Sequence, residues 1–220
     1  MKSLRKFALQ VFFVASFLCN SAMAAYIDFT DSNLFLLGNS SVFAGSVDGI
    51  GFMLTSSGIN RTEVYDGSST NPGCQAGGVG GQLTCGNDGI GIGNDEITTG
   101  QTLNLIFNTA VRITSIEFLD LYEGVRAEEA TVSIDGGISR SVIATGSSGD
   151  GGYANLDFLA LVGADQNIEF TARNLYGDDG NNDYALAAIT VSAVPVPAAI
   201  WLFGTGLIGL IGFSKRRKAA

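Results

Sequence analysis

The chain has 220 residues, with 12 Lys and Arg against 21 Asp and Glu, a formal charge of −9 and no His. An acidic surface cannot neutralise phosphate, so nucleic acid is excluded as a partner. Without His, the Ser-His-Asp, Cys-His and His-ligated metal mechanisms are excluded as well.

Residues 1–24 have the parts of a secretory signal peptide. Lys2, Arg5 and Lys6 form the charged start, residues 7–18 the apolar core, and Ala22-Met23-Ala24 a small-x-small site for signal peptidase. The mature chain is expected to begin at Ala25. Cys19 is not read as a lipid-attachment residue, because bulky Phe17 and Leu18 precede it. With three cations in this segment and four at the far end, residues 25–193 keep five arginines against all 21 acids, a net of −16. Such a charge keeps an exported domain soluble and invites divalent cations.

Residues 25–193 read as one domain of short strands separated by polar, Gly-rich turns. Strand candidates are 26–29, 51–56, 111–119, 155–162 and 184–191. Leu103, Leu105 and Phe107 alternate with Thr102 and Asn104, and Ile168, Phe170 and Ala172 alternate with Glu169, Thr171 and Arg173. Ala130, Val132 and Ile134 run into Asp135-Gly136-Gly137 and out through 138–143, a hairpin signal because Asp and Gly tolerate positive φ. A short helical turn is expected at 126–129. Many short strands without a sustained helical period imply an all-β, antiparallel β-sandwich of jelly-roll-like type.

Residues 67–94 break the rhythm, being rich in Gly, Ser and Asn with almost no apolar period. They hold Cys74 and Cys85, the two cysteines outside the signal segment. In an oxidising compartment these are expected to pair, making the stretch a stapled surface excursion. A metal or redox pair is the rival reading, disfavoured by the absence of His and of a Cys-x-x-Cys.

Two acid-rich stretches are candidates for a single Ca²⁺, because hard cations take carboxylate and carbonyl oxygens. One is Asp95 with Glu96; the other is Asp178, Asp179, Asn181 and Asp183. The same residue types are ordinary turn formers, and both readings stand. Residues 91–97 fit most of one calcium-binding nonapeptide unit, but the unit occurs once and a calcium roll needs stacked repeats. Gly89, Gly91 and Gly93 are not a dinucleotide fingerprint, since a strand and not a helix follows.

Residues 194–220 carry three signals in a fixed order. Val194-Pro195-Val196-Pro197-Ala198 comes first, an almost wholly apolar segment at 198–213 second, and Lys215, Arg216, Arg217 and Lys218 last. No charge occurs between Asp183 and Lys215. At about 1.5 Å per residue the apolar segment makes roughly 24 Å of helix, short of the roughly 30 Å of a bilayer core but extendable by bilayer thinning and snorkelling cations. The cationic cluster keeps that end cytoplasmic, so everything before Val194 is expected outside.

This order resembles the PEP-CTERM sorting signal, in a variant with Val-Pro-x-Pro-Ala at the motif position. The resemblance implies a Gram-negative exported protein, an inner-membrane intermediate, and cleavage near the Pro motif by the membrane protease exosortase. Val196 stands where the eponymous motif has Glu, which leaves the exosortase subtype open. A plain single-pass anchor is the rival; a sortase motif, Leu-Pro-x-Thr-Gly, does not occur. Residues 89–97, Gly-Ile-Gly-Ile-Gly-Asn-Asp-Glu-Ile, are similar to a Gly-Leu-Gly-Val…Asp-Glu-Ile pattern of many ectodomains with this tail. The resemblance also implies producers of exopolysaccharide, which makes the cell surface or biofilm matrix the expected setting. The domain organisation is thus 1–24 signal peptide, 25–193 β-sandwich ectodomain and 194–220 sorting tail with one transmembrane helix. The expected role is structural and non-enzymatic, with calcium-assisted binding of the polysaccharide as the alternative. A glycosidase would need two poised carboxylates, and no pair of the 21 acids is singled out by context.

Overall fold

The computed structural model describes residues 24–34, 38–58, 63–66, 74, 82–123, 127–145, 151–173, 182–194 and 206. Two compact units are distinguished, Met1–Ala22 with Val194–Ala220, and Met23–Ala193. The strands lie in the second unit. Most of the sorting tail, Ala22 of the signal site and the turn residues Asp178, Asp179 and Asn181 lie outside the described residues. Among the described residues no helix is long and apolar enough to cross a membrane.

Among the described residues thirteen strands form two antiparallel sheets. They are β1 (Ala24–Asp28), β2 (Gly38–Ser40), β3 (Val42–Val47), β4 (Ile50–Gly58), β5 (Val64–Asp66), β6 (Ile90–Ile92), β7 (Gln101–Phe107), β8 (Val111–Leu119), β9 (Glu129–Ile134), β10 (Ile138–Ile143), β11 (Ala154–Val162), β12 (Ile168–Arg173) and β13 (Ala185–Ala193). One sheet runs β11-β8-β13-β6-β5-β2, with β1 also on β13; the other runs β10-β9-β12-β7-β4-β3.

The period-two pattern decides which face of each strand turns inward. Leu103, Leu105 and Phe107 of β7, Phe52 and Leu54 of β4, and Ile168 and Phe170 of β12 are buried from the second sheet. Ile27 of β1, Ile113, Ile116 and Phe118 of β8, and Ile189 and Val191 of β13 meet them from the first, in one hydrophobic cluster. Edge-to-face packing of Phe29 on Phe52, with ring centroids 5.9 Å apart, spans the two layers. This is the expected all-β antiparallel sandwich.

Strand β13 is buried over Ala185, Leu186, Ala187 and Ala188 in succession, so both of its faces are covered there. The outer cover is the cysteine segment: Cys74 packs with Leu119, Ala185 and Ala187, alongside Leu83, Cys85 and Tyr153. Small side chains at 185 and 187 leave room for it. Cys74 and Cys85 are bonded, with Cα atoms 5.8 Å apart. Thr84 N donates to Asp28 Oδ2 at 2.7 Å and Cys85 N to Thr30 Oγ1 at 2.9 Å, which ties the segment to the end of β1.

Two expectations are corrected. The stretch at 67–94 is not a surface excursion throughout, because β6 lies within it, buried between β13 and β5; three residues are too few to register as a period. The helical turn at 126–129 does not form at its C-terminal end. Glu129 opens β9 opposite Arg173, followed by Thr131 opposite Thr171 and Ser133 opposite Glu169, and Ala127 bridges Glu123. Strand pairing on the outer face overrides the local helical preference of Ala and Glu.

Candidate functional site

Six carboxylates meet at one end of the sandwich, each delivered by the end of a strand. Asp88 precedes β6, and Asp95 and Glu96 follow it; Asp120 follows β8; Glu128 precedes β9; Asp183 precedes β13. Strand pairing explains the meeting. Leu119 is opposite Ala185 and Leu186 is opposite Ile90, so the start of β13 lies between the end of β8 and β6.

Gly91 makes the fold-back of Asp95 and Glu96 possible. A Cβ there would sit 2.1 Å from Glu96 N and 2.3 Å from Asp95 C, so the turn lies directly against the strand. Ile92 N donates to Glu96 O at 2.9 Å and Gly93 N to Glu63 O at 2.9 Å, closing the turn. Across the site, Asp120 has φ 58 and its amide donates to Gly151 O at 2.9 Å. Tyr122 binds two of the acids: its hydroxyl donates to Asp120 Oδ1 at 2.9 Å and its amide to Glu128 Oε2 at 2.6 Å.

Burial dominates the electrostatics. It pushes the Asp88 carboxyl up to about 8, helped by a hydrogen bond with Asp95 and the charges of Asp95 and Asp120. Burial likewise takes Glu96 to about 7, with the charges of Asp183, Asp120 and Asp95 adding to it. Glu128 rises to about 8 by burial against the lowering effect of the Tyr122 amide, with Asp183, Glu96 and Asp120 adding. Asp183 is raised by burial and lowered by its hydrogen bond with Glu96. Asp88 thus lies beside Asp95, and Glu96 beside Asp183, each raised carboxyl hydrogen-bonded to a second acid. Among the described residues no three acids close around one point in a metal-holding arrangement.

The structure therefore brings Asp95, Glu96 and Asp183 together from what the sequence offered as two separate stretches. Asp178, Asp179 and Asn181 of the second stretch lie outside the described residues. Sequence reasoning missed Asp88, Asp120 and Glu128. For Asp88 a signal was present, since it immediately precedes the Gly89-Gly91-Gly93 series; Asp120 and Glu128 reach the site only through strand pairing.

A second polar group lies beneath the cysteine segment on the outer face of the first sheet. Tyr26 Oη donates to Glu117 Oε2 at 3.1 Å, and Tyr153 hydrogen-bonds Glu117 and Asn155. Burial raises Glu117 and Tyr26, and for Tyr26 the Glu117 charge adds to it.

The far end of the chain carries a different kind of site. Residues 193–218 match the PEP-CTERM protein-sorting motif. The motif is that of an exported protein processed by exosortase and held in the membrane before release. The match begins at the last residue of β13, so the PEP-CTERM tail follows the sandwich without a spacer. No curated protein matches the chain. Among solved structures, the crystal structure of a Podospora anserina GH26-CBM35 β-(1,4)-mannanase aligns over 79% of this chain and 28% of that one, at 12% identity and TM-score 0.30. At that score the likeness carries no argument for this chain.

Proposed function

We propose that this is a non-enzymatic surface protein of a Gram-negative cell, delivered by the PEP-CTERM tail to the cell surface or exopolysaccharide matrix and built as a structural β-sandwich. The observation that carries the reading is the motif match over residues 193–218. It coincides with the ordered Val194-Pro195-Val196-Pro197-Ala198, apolar and Lys215-Arg216-Arg217-Lys218 signals. Physical chemistry supports a removable address. Gly204, Gly206, Gly209 and Gly212 sit within the short apolar segment, each weakening a helix by about 1 kcal/mol relative to Ala in water. The motif carries Pro195 and Pro197, and proline favours an extended backbone in the residue before it, a shape suited to a protease cleft. A signal cut before Ala25 would remove only Ala24 from β1, leaving the pairs from Ala25 opposite Val191 to Asp28 opposite Ala188.

Intact mass spectrometry of the protein exported in a host with exosortase tests this. The expected mass lacks everything after a cut within 194–198, and the Pro195→Ala, Pro197→Ala double variant accumulates as membrane-bound precursor. Wild-type protein that retains Trp201 under those conditions overturns the reading in favour of a plain anchor.

A second reading, polysaccharide binding, is favoured by the half-buried Tyr153 hydrogen-bonded to the exposed Asn155, an aromatic and amide pairing that suits sugar rings and hydroxyls. A glycan array probed with the exported protein, with Tyr153→Ala as the control, separates it from a purely structural role.

A further inference from the structure

Asp88 is the group that asks for a ligand. Its side chain is only 7% exposed, and its Oδ1 has no hydrogen-bond partner. A buried carboxylate oxygen left unmet is costly, and native structures rarely tolerate one without an ion or a water to meet it. The neighbours of this carboxyl are themselves acids, the hydrogen-bonded Asp95 and the nearby Asp120, so the unmet oxygen is carried by a member of the acidic group.

We propose that this end of the sandwich binds one hard divalent cation, of the Ca²⁺ class, through Asp88, Asp95, Glu96, Asp120 and Asp183, with Glu128 at its margin. Such a site is independent of the sorting function. In the cation-free form Asp88 lies beside Asp95 and Glu96 beside Asp183, rather than in a closed coordination sphere. Binding turns these carboxylate oxygens to the ion. The Gly91 close approach fixes the backbone of Asp95 and Glu96, so that only side chains need to rotate.

The donor set selects the metal. All donors are oxygens, with neither His nor a free thiol among the named residues, which disfavours zinc and copper. Carboxylates drawn from four strand ends make a large and adaptable cage, which suits Ca²⁺ better than the strict octahedron of Mg²⁺. Exported modules typically bind Ca²⁺ at about 0.1 to 1 mM, and an ion here would tie β6, β8 and β13 together at the end where turns replace the ladder.

The test uses the exported full chain, stripped with EDTA and melted in buffer alone, in millimolar CaCl₂, in MgCl₂, and in NaCl of matched ionic strength. Calcium is expected to raise the melting temperature, while NaCl does not and Mg²⁺ does so less. Tb³⁺ is expected to luminesce on excitation of tyrosine, through Tyr122, and Ca²⁺ to quench it by displacement. Asp88→Asn and Asp183→Asn are expected to lose the calcium shift while melting in EDTA no lower than wild type, since each removes an acid crowded by other acids at constant volume. Asp48→Asn, in the exposed β3–β4 turn, keeps the shift. The proposal is overturned if wild type shows no calcium shift, if NaCl reproduces it, or if Asp88→Asn retains it in full.

Discussion

The β9–β10 hairpin and the segment around β6 use the same residues to different ends. In the hairpin, Asp135 and Gly136 take φ of 47 and 66, the pair of left-handed residues that a tight antiparallel turn demands. Asp135 is exposed, and its carboxylate accepts from Asn167 N at 2.9 Å and Gln166 Nε2 at 3.0 Å. Around β6, Asp88 is buried, and Gly89 at φ 114 lies against Leu186 O. One aspartate is satisfied by donors; the other has an oxygen with no donor. Asp and Gly encode where the backbone can bend, and only the strands folded over the bend decide whether the carboxylate becomes a turn cap or part of a site.

The largest effect expected is at the glycines, where the two regions make opposite predictions about cause. Gly91→Ala drives a Cβ to within 2.1 Å of the Glu96 amide. The turn must lift, at a cost of about 3 kcal/mol, the upper part of the overpacking range. Gly136→Ala meets nothing within 4 Å and carries only the left-handed backbone penalty of about 1 kcal/mol. Chemical denaturation of both variants checks the ordering; equal losses would mean that the fold-back over Gly91 is not rigid.

The disulfide is expected to contribute a comparable amount. Cys74 and Cys85 close a loop with a sequence separation of 11, worth about 3 kcal/mol in the chain-entropy account. The Cys74→Ser, Cys85→Ser double variant is expected to lose that much in a denaturant titration. It sharpens the comparison because Cys85 leads within three residues to Asp88, whereas the hairpin has no covalent tie. An unchanged midpoint would show that hydrogen bonding to Asp28 and Thr30 alone holds the segment down.

How legible each feature is in the sequence depends on how far it relies on distant chain. The alternation of Leu103, Leu105 and Phe107, and of Ile168 and Phe170, is a local record of one buried face, and both strands form there. The β9–β10 hairpin is equally local, since its turn and both arms are contiguous. Strand β6 left no such record: its three residues form a strand because β13 and β5 flank them. The acid site is less legible still. Asp120 and Asp183 are 63 residues apart in sequence and meet because Leu119 pairs with Ala185. The Asp-Glu of the Gly-rich motif marked half of the site without indicating where the other half would come from.

A pH dependence is expected to separate the two aspartates. Asp88, Glu96 and Glu128 have ordinary values of 3.8 to 4.5 and are raised by burial to about 8, 7 and 8. A carboxyl raised on folding holds its proton where the unfolded chain has released it. Its contribution is therefore fully present below about pH 4 and is lost as pH rises through about 7 to 8. The groups facing these three are Asp95, Asp120 and Asp183, together with the Tyr122 hydroxyl and amide; Arg126 lies outside the described residues. In chelator, wild-type stability is expected to fall between about pH 4 and 8, the window between the ordinary and the raised values. Asp88→Asn removes one of the titrating groups and flattens the profile. Asp135→Asn keeps an acceptor oxygen and tolerates the positive φ, so its profile is expected to lie over that of wild type within about 0.5 kcal/mol, as for surface substitutions generally. Denaturant midpoints measured across that window decide it: a flattened profile for Asp135→Asn, or an unaltered one for Asp88→Asn, would erase the distinction between the turn and the site.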